Sequence, residues 1–177
     1  MLDAVRQLLV EVGYPRLSFE LVARRAGVTR PAIYRRWPSK VHLVHEAVFP
    51  EPGTVVVEDT GDFDGDLRRL VRRNLASYAR PEARAALPGL LSDLHGDEVL
   101  RHSVLDGLES QVRAQFARLV DRARDSRVVA RDVDPDALLD VIVGAIFHRV
   151  IARDDTDEDF AETLANLVLD GVRRRSP

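Results

Sequence analysis

Four cations fall within the eleven residues from 30 to 40: Arg30, Arg35, Arg36 and Lys40, in the run Thr-Arg-Pro-Ala-Ile-Tyr-Arg-Arg-Trp-Pro-Ser-Lys that begins at Thr29. A guanidinium presents a planar fork of donors that matches guanine O6 and N7 or a phosphate, whereas an ammonium meets phosphate as a point charge. Pro31 and Ala32 add small apolar surface suited to a thymine methyl. At the first turn of a helix, Arg30 is placed to read a base. Tyr34, Arg35, Arg36 and Lys40 lie where they would grip phosphates, fixing register without reading sequence. Thr29 can cap that helix and touch phosphate at once. The bland alternative is a solvated helix face. Trp37 reads as core, with an indole N–H within reach of a phosphate.

These side chains need a scaffold, and the flanking residues supply one. Phe19, Leu21, Val22 and Ala26 are apolar at helical spacing, and Gly27 ends that helix. Ile33 and Trp37, four apart, share one face and can pack on the first helix, while the basic residues take the opposite face. The expected pair is a helix over about 18–26 and a second over about 30–36. A basic helix held by an apolar partner at a glycine turn is a helix-turn-helix reader of the major groove.

The run Ala-Arg-Arg-Ala-Gly-Val-Thr-Arg-Pro-Ala-Ile-Tyr-Arg-Arg-Trp-Pro-Ser-Lys resembles the recognition motif of the tetracycline-repressor (TetR) family. Leu8-Leu9-Val10-Glu11-Val12-Gly13-Tyr14 is similar to that family's first helix with its Gly-Tyr ending, and Lys40-Val41-His42-Leu43-Val44 to the start of its fourth helix. Further on, Ala130-Arg131-Asp132-Val133-Asp134-Pro135, then Leu139-Asp140 and Val143-Gly144 through Arg149, resembles one ligand-domain subtype of the same family. The resemblance implies double-stranded operator DNA as partner, a small-molecule effector, and a homodimer made by the last two helices.

Composition narrows the alternatives. A chain of 177 residues with 45% apolar and 31% charged residues suits a soluble globular protein of one or two small domains. There is no cysteine, hence no disulfide or thiolate metal site. No apolar run approaches the roughly 18 residues of a membrane helix, and Asp3, Arg6 and Glu11 interrupt any leader pattern. A cytoplasmic protein without membrane partners is expected. Residues 1–49 hold 8 Lys+Arg against 4 Asp+Glu, a net of +4, while residues 50–177 hold 18 against 25, a net of −7. A basic head on an acidic body suits a head that meets phosphate.

The remaining elements read as helices. The first spans about 2–12, and Ser39 can cap a fourth reaching Phe49. Residues 50–62, with two prolines and two glycines, form a linker in which Thr-Val-Val-Val could extend. Helical periodicity resumes over 63–79, 81–95 with a kink or break at Pro88, 98–125 with Leu105, Leu108, Val112, Phe116, Leu119 and Val120 on one side, 135–153 and 157–174. No strand pattern or repeat appears. The expected fold is all-α: an N-terminal three-helix helix-turn-helix DNA-binding domain over 1–49 and a C-terminal helical ligand-binding and dimerisation domain over 50–177.

Within that body, Asn74 is a polar group on the apolar stripe of Leu67, Leu70 and Tyr78. It either orients a ligand or satisfies a backbone carbonyl. Tyr78, Leu91, Phe116 and Phe147 are further candidate pocket residues, although core packing explains any one of them. The expected dimer interface is Leu138, Val141, Ile142 and Ala145, with Phe160, Leu164, Leu167, Val168 and Gly171. His42, His45, His95, His102 and His148 show no metal-binding motif, and no nucleophile elbow, P-loop or dinucleotide fingerprint is present. The acidic stretch 154–159 reads as a solvated turn and helix start. No enzyme, metal or cofactor is expected. The expected function is a one-component regulator, a repressor of palindromic operators released by a small, mostly apolar effector. The alternatives are a constitutive DNA binder without inducer, or a helical small-molecule-binding protein without DNA function.

Overall fold

A computed structural model describes residues 1–49, 58–157 and 159–173, with the side chains of 105–108 excepted. Nine α-helices follow one another among the described residues: α1 (Leu2–Arg16), α2 (Phe19–Ala26), α3 (Arg30–Tyr34), α4 (Lys40–Val48), α5 (Phe63–Ala79), α6 (Pro81–Gly96), α7 (Glu98–Asp125), α8 (Pro135–Phe147) and α9 (Asp159–Val172). A π-helical turn over His148–Ala152 continues α8. The only extended pairing among the described residues is an isolated bridge between Val129 and Arg173. Most of the expected linker, from Pro50 to Val57, lies outside the described residues, as do the side chains of Leu105 and Leu108.

The helices form two compact units. One holds α1–α4, α6 and the start of α7 to residue 107; the other holds α5, the rest of α7, α8, the π turn and α9.

In the first unit α1 and α4 pack on α6. Val5, Leu8, Leu9, Leu43, Val44, Ala47, Ala83, Ala86, Leu87 and Leu90 are buried. α1 departs from the expected stop at Val12. Gly13 takes φ +75°, which an L side chain rarely adopts, and the chain then makes one further helical turn to Arg16 through Pro15. The kink carries Tyr14 inward, where it is buried and donates its hydroxyl to Asp93 Oδ2 at 2.5 Å. A Cβ on Gly89 would lie 2.1 Å from Tyr14 Cδ1, so glycine is required where α6 passes the ring. α6 runs unbroken through Pro88, because its buried face holds a helix that has lost one ladder bond. Two arginines close the other end of α4: Arg6 Nε donates to the Ala47 carbonyl at 2.7 Å and Arg80 Nη2 to that of Val48 at 2.5 Å. Cations on the last carbonyls of a helix satisfy orphan acceptors and oppose its dipole.

The second unit has its own core of Phe63, Leu67, Leu70, Val71, Phe116, Leu119, Val120, Leu139, Ile142, Ile146, Leu164, Ala165, Val168 and Leu169. Asp62 caps α5 by accepting from Gly65 N at 3.1 Å, and buried Asp66 reaches back to Thr60 N at 2.9 Å. Asp134 caps α8 by accepting from Asp136 N at 2.9 Å. α8 is shorter than expected: past Phe147 the ladder widens, with Arg153 N bonding His148 O at 3.1 Å. The Arg149 guanidinium lies over the Phe160 ring at 4.9 Å and pairs with Asp155 at 2.8 Å, which holds the turn between α8 and α9.

Two stability predictions follow from the first unit. Gly89→Ala drives a methyl into the Tyr14 ring and should cost about 1–3 kcal/mol, the usual range for overpacking. Urea titration reads this, and an unchanged midpoint would show that the ring yields freely. His45 is half-buried, and burial holds its pKa below the ordinary 6.5, with His42 adding to the shift and Glu46 opposing it. Its unfolded form therefore binds more protons in the window just below 6.5, so its contribution is complete above 6.5 and declines as pH falls from there. His45→Gln should flatten the thermal midpoint against pH between about 5 and 7; an unaltered slope would contradict this.

Candidate nucleic-acid interface

The presentation of α3 begins with α2. Ser18 caps α2 by accepting from Leu21 N at 3.3 Å, and Phe19, Val22 and Ala23 form its buried face. Gly27 ends α2 at φ +66°, ψ +31°; nothing lies within 4 Å of a Cβ placed there, so glycine is required by conformation rather than space. Val28 N closes the turn onto Ala23 O at 3.1 Å.

α3 is shorter than the expected 30–36. It spans Arg30–Tyr34, and Arg36 N and Trp37 N then both bond to Ile33 O, at 3.0 and 2.9 Å. The final turn is tightened because Pro38 disfavours helical backbone at Trp37. Thr29 does not cap α3 through its hydroxyl; its carbonyl accepts from Ala32 N at 3.1 Å while the side chain stays exposed. Ile33 is fully buried and Trp37 is 2% exposed. Tyr34 keeps its ring edge-on to Phe19, centroids 4.5 Å apart, and remains half-exposed.

The four cations divide into two pairs. Arg30 and Arg35 are exposed, and no hydrogen bond or ion pair holds either among the described residues. They share the open surface with Thr29 and Pro31, while Ala32 is half-buried. Arg36 and Lys40 are held. Arg36 Nη2 bonds Glu46 Oε1 at 2.6 Å and its guanidinium lies 4.7 Å from the Trp37 ring centroid. The Trp37 indole N–H, which sequence reasoning placed within reach of a phosphate, instead donates to Glu46 Oε2 at 2.7 Å. Lys40 Nζ sits 4.0 Å from the Tyr14 ring centroid and donates to Tyr14 O at 3.3 Å. Burial and the neighbouring Asp93 carboxylate push the Tyr14 hydroxyl well above the usual phenol range, so it stays a neutral donor.

Ser39 caps α4, accepting from His42 N at 3.4 Å. The His42 ring bridges Ser39 Oγ at 2.8 Å and Ser103 Oγ at 3.2 Å. Glu46, Asp93 and Ser103 were not legible as part of this site. Asp93 and Ser103 lie far along the chain from α3 and Glu46 on the next helix, and no local pattern marks a residue that acts only through a partner on another element.

The candidate effector residues fall in both units. Asn74 is buried and its Nδ2 donates to Leu70 O at 2.9 Å, the carbonyl-satisfying role. Phe116 is fully buried in the core of the second unit, Tyr78 and Phe147 are half-buried, and Leu91 is exposed on α6 in the first unit. The second unit carries described concavities of about 330 and 830 Å3, and none of the five lines either. The expected interface residues also divide. Ile142, Leu164 and Val168 are buried in the chain's own core, because the apolar stripes of α8 and α9 first serve their own unit. Leu138, Ala145 and Phe160 are half-buried, whereas Val141, Leu167 and Gly171 are exposed. Among the described residues no cluster of three or more His, Asp or Glu could hold a metal ion, and no helix is long and apolar enough to cross a membrane.

Comparison with known proteins matches this geometry at both ends of the chain. The family model for bacterial regulatory proteins of the tetR family matches residues 1–47, and that for the tetracyclin repressor-like C-terminal domain matches residues 57–168. The chain is 30% identical over 174 residues to the HTH-type transcriptional regulator Rv1556 of Mycobacterium tuberculosis, covering 96% of this chain and 84% of that one. It is 29% identical over 179 residues to the DNA-binding transcriptional repressor TetR of Mycobacteroides abscessus, covering 96% and 90%. The crystal structure of the TetR family transcription regulator SCO0332 matches with a TM-score of 0.72 and 34% identity, covering 98% of this chain and 96% of that one. With an exposed basic recognition helix on an all-α scaffold, the chain belongs to the TetR family and is a DNA-binding transcriptional regulator, not an enzyme.

Proposed function

We propose that the protein is a cytoplasmic, homodimeric repressor that binds a palindromic operator through a head at 1–49 and releases it when a small, mostly apolar effector enters the body at 50–177. The observation that carries the DNA part is the pair Arg30 and Arg35, exposed and unpartnered on a helix fixed from behind by Ile33 and Trp37. Arg30, in the first turn, takes the base-reading position, with Pro31 and Ala32 beside it for a thymine methyl; Arg35, with Thr29 and Tyr34, takes phosphate. The relative named a transcriptional repressor supports the sign of regulation. Release by an effector requires reciprocity: DNA must weaken effector binding by the same factor that the effector weakens DNA. A constitutive DNA binder is the second reading, and the Asn74 amide already spent on the Leu70 carbonyl favours it.

The dimer reading rests on the faces of α8 and α9 that the core leaves open. Val141 is 58% and Leu167 66% exposed. Gly144 lies three residues after Val141 and Gly171 four after Leu167, each on the same helix face as its apolar neighbour. Nothing lies within 4 Å of a Cβ placed on either glycine, so another helix could approach closely there.

Two tests separate these assignments. Arg30→Ala should cost roughly 1–3 kcal/mol on a selected operator and relax preference at one base position. Arg35→Ala should instead weaken all duplexes alike and reduce the salt slope by about 0.9 per contact. Anisotropy titration across salt concentrations reads both, and uniform weakening by Arg30→Ala would reassign the reader. Leu167→Asp should yield a folded monomer in sedimentation, whereas Leu164→Asp should unfold the second unit by burying a charge. A folded dimer of Leu167→Asp would remove α9 from the interface.

A further inference from the structure

Glu46 is the one carboxylate bonded to the cations of the recognition segment among the described residues, and both of its oxygens are engaged. Its two oxygens face two donors, the Trp37 indole at 2.7 Å and the Arg36 guanidinium at 2.6 Å. A DNA phosphate meeting this surface would present two non-bridging oxygens to donors of the same kind. We propose that Glu46 sets the strength of the phosphate grip: it is an internal stand-in for a DNA phosphate that keeps Arg36 out of the grip on DNA, weakening binding to duplex of any sequence while leaving base reading by Arg30 intact.

The carboxylate cannot easily leave. Trp37 is buried, and an indole N–H in that setting is costly to leave unbonded. One oxygen of Glu46 is therefore anchored by the core, and the other is offered outward to Arg36, whose side chain is 63% exposed. No second cation shares Glu46 among the described residues: its ion pair is with Arg36 alone, and burial of the neighbouring His45 favours that ring's neutral form. An approaching phosphate meets a guanidinium already neutralised, with a fixed negative charge beside it. Because that site carries no free positive charge, it releases few counterions on binding. Every sequence in a genome presents phosphates, so silencing one phosphate contact weakens binding to operator and to unrelated DNA by the same factor and leaves their ratio to the base contacts.

This inference rests on the reading that the face bearing Arg35 and Arg36 meets DNA, and the experiment separates the two. The probe is a mixed-sequence duplex of about three helical turns, titrated by anisotropy against salt. Glu46→Gln keeps the size and an acceptor for the indole but removes the charge. It should tighten duplex binding several-fold at low salt and steepen the salt slope by up to about 0.9 per subunit. Arg36→Ala should have little effect in the unmodified protein yet abolish the gain in the Glu46→Gln background. Trp37 is the single tryptophan of the chain, so its emission reports whether the indole environment survives. If Glu46→Gln weakens binding at every salt concentration with unchanged emission, Glu46 is a clamp that aims Arg36 at phosphate, and the proposal is overturned. Where the emission shifts, Arg36→Ala alone decides: a slope shallower by about 0.9 per subunit overturns the proposal, and an unchanged slope supports it. If Arg35→Ala also leaves the slope unchanged, the interface itself is misplaced, and the inference falls with it.

Discussion

A helix of five residues does not hold its own shape in water, since nucleation is costly and one turn returns too few bonds to repay it. The recognition helix Arg30–Tyr34 is that short, and everything about its presentation depends on how it is held. Ile33 and Trp37 bury one side, and the Gly27 turn sets its direction. Burying a tryptophan brings an N–H into the core, which then needs an acceptor. Glu46 supplies it from α4. A carboxylate amid a cationic surface is thus the consequence of anchoring a short helix with an indole, and its effect on Arg36 follows from proximity.

The same logic extends through α4 to α1 and α6. Lys40 opens α4 and rests on the Tyr14 ring, and Tyr14 in turn is locked by Asp93 and by the missing Cβ of Gly89. The far end of α4 is closed by Arg6 and Arg80. Charged groups in this unit therefore serve mainly as fasteners between helices. Such pairs add little stability when exposed, but they fix where each cation points. Among the described residues Arg30 and Arg35 are the arginines of this unit held by no hydrogen bond or ion pair.

Much of this was legible in the sequence because it is local. The α2–turn–α3 unit is written in adjacent residues: apolar positions at helical spacing and a glycine that ends the first helix. The ranges of α5 and α7 follow from uninterrupted periodicity. What was not legible is set by contacts distant in the chain. Pro88 reads as a break, yet the packed face of α6 overrides it. The stripes of α8 and α9 read as one interface, although periodicity cannot say whether an apolar residue faces its own core or a partner; Leu164 does the first, and Leu167 is open. Arg36 and Lys40 looked equivalent to Arg35 as phosphate grips, because sequence reports charge and not its partner.

Partnering also governs how much of an arginine's charge is free to act. In the second unit Arg113 meets Glu109, Asp136 and Asp140, and Arg68 and Arg72 both meet Glu162. Those arginines are neutralised where they stand, and each ties two helices together. Net charge would rank the two regions by their excess of arginine over carboxylate. The quantity that governs phosphate binding is narrower, namely the positive charge left unmatched at an exposed surface, since only that charge holds counterions to release. By that measure Arg30 and Arg35 count in full, whereas Arg68, Arg72 and Arg113 do not.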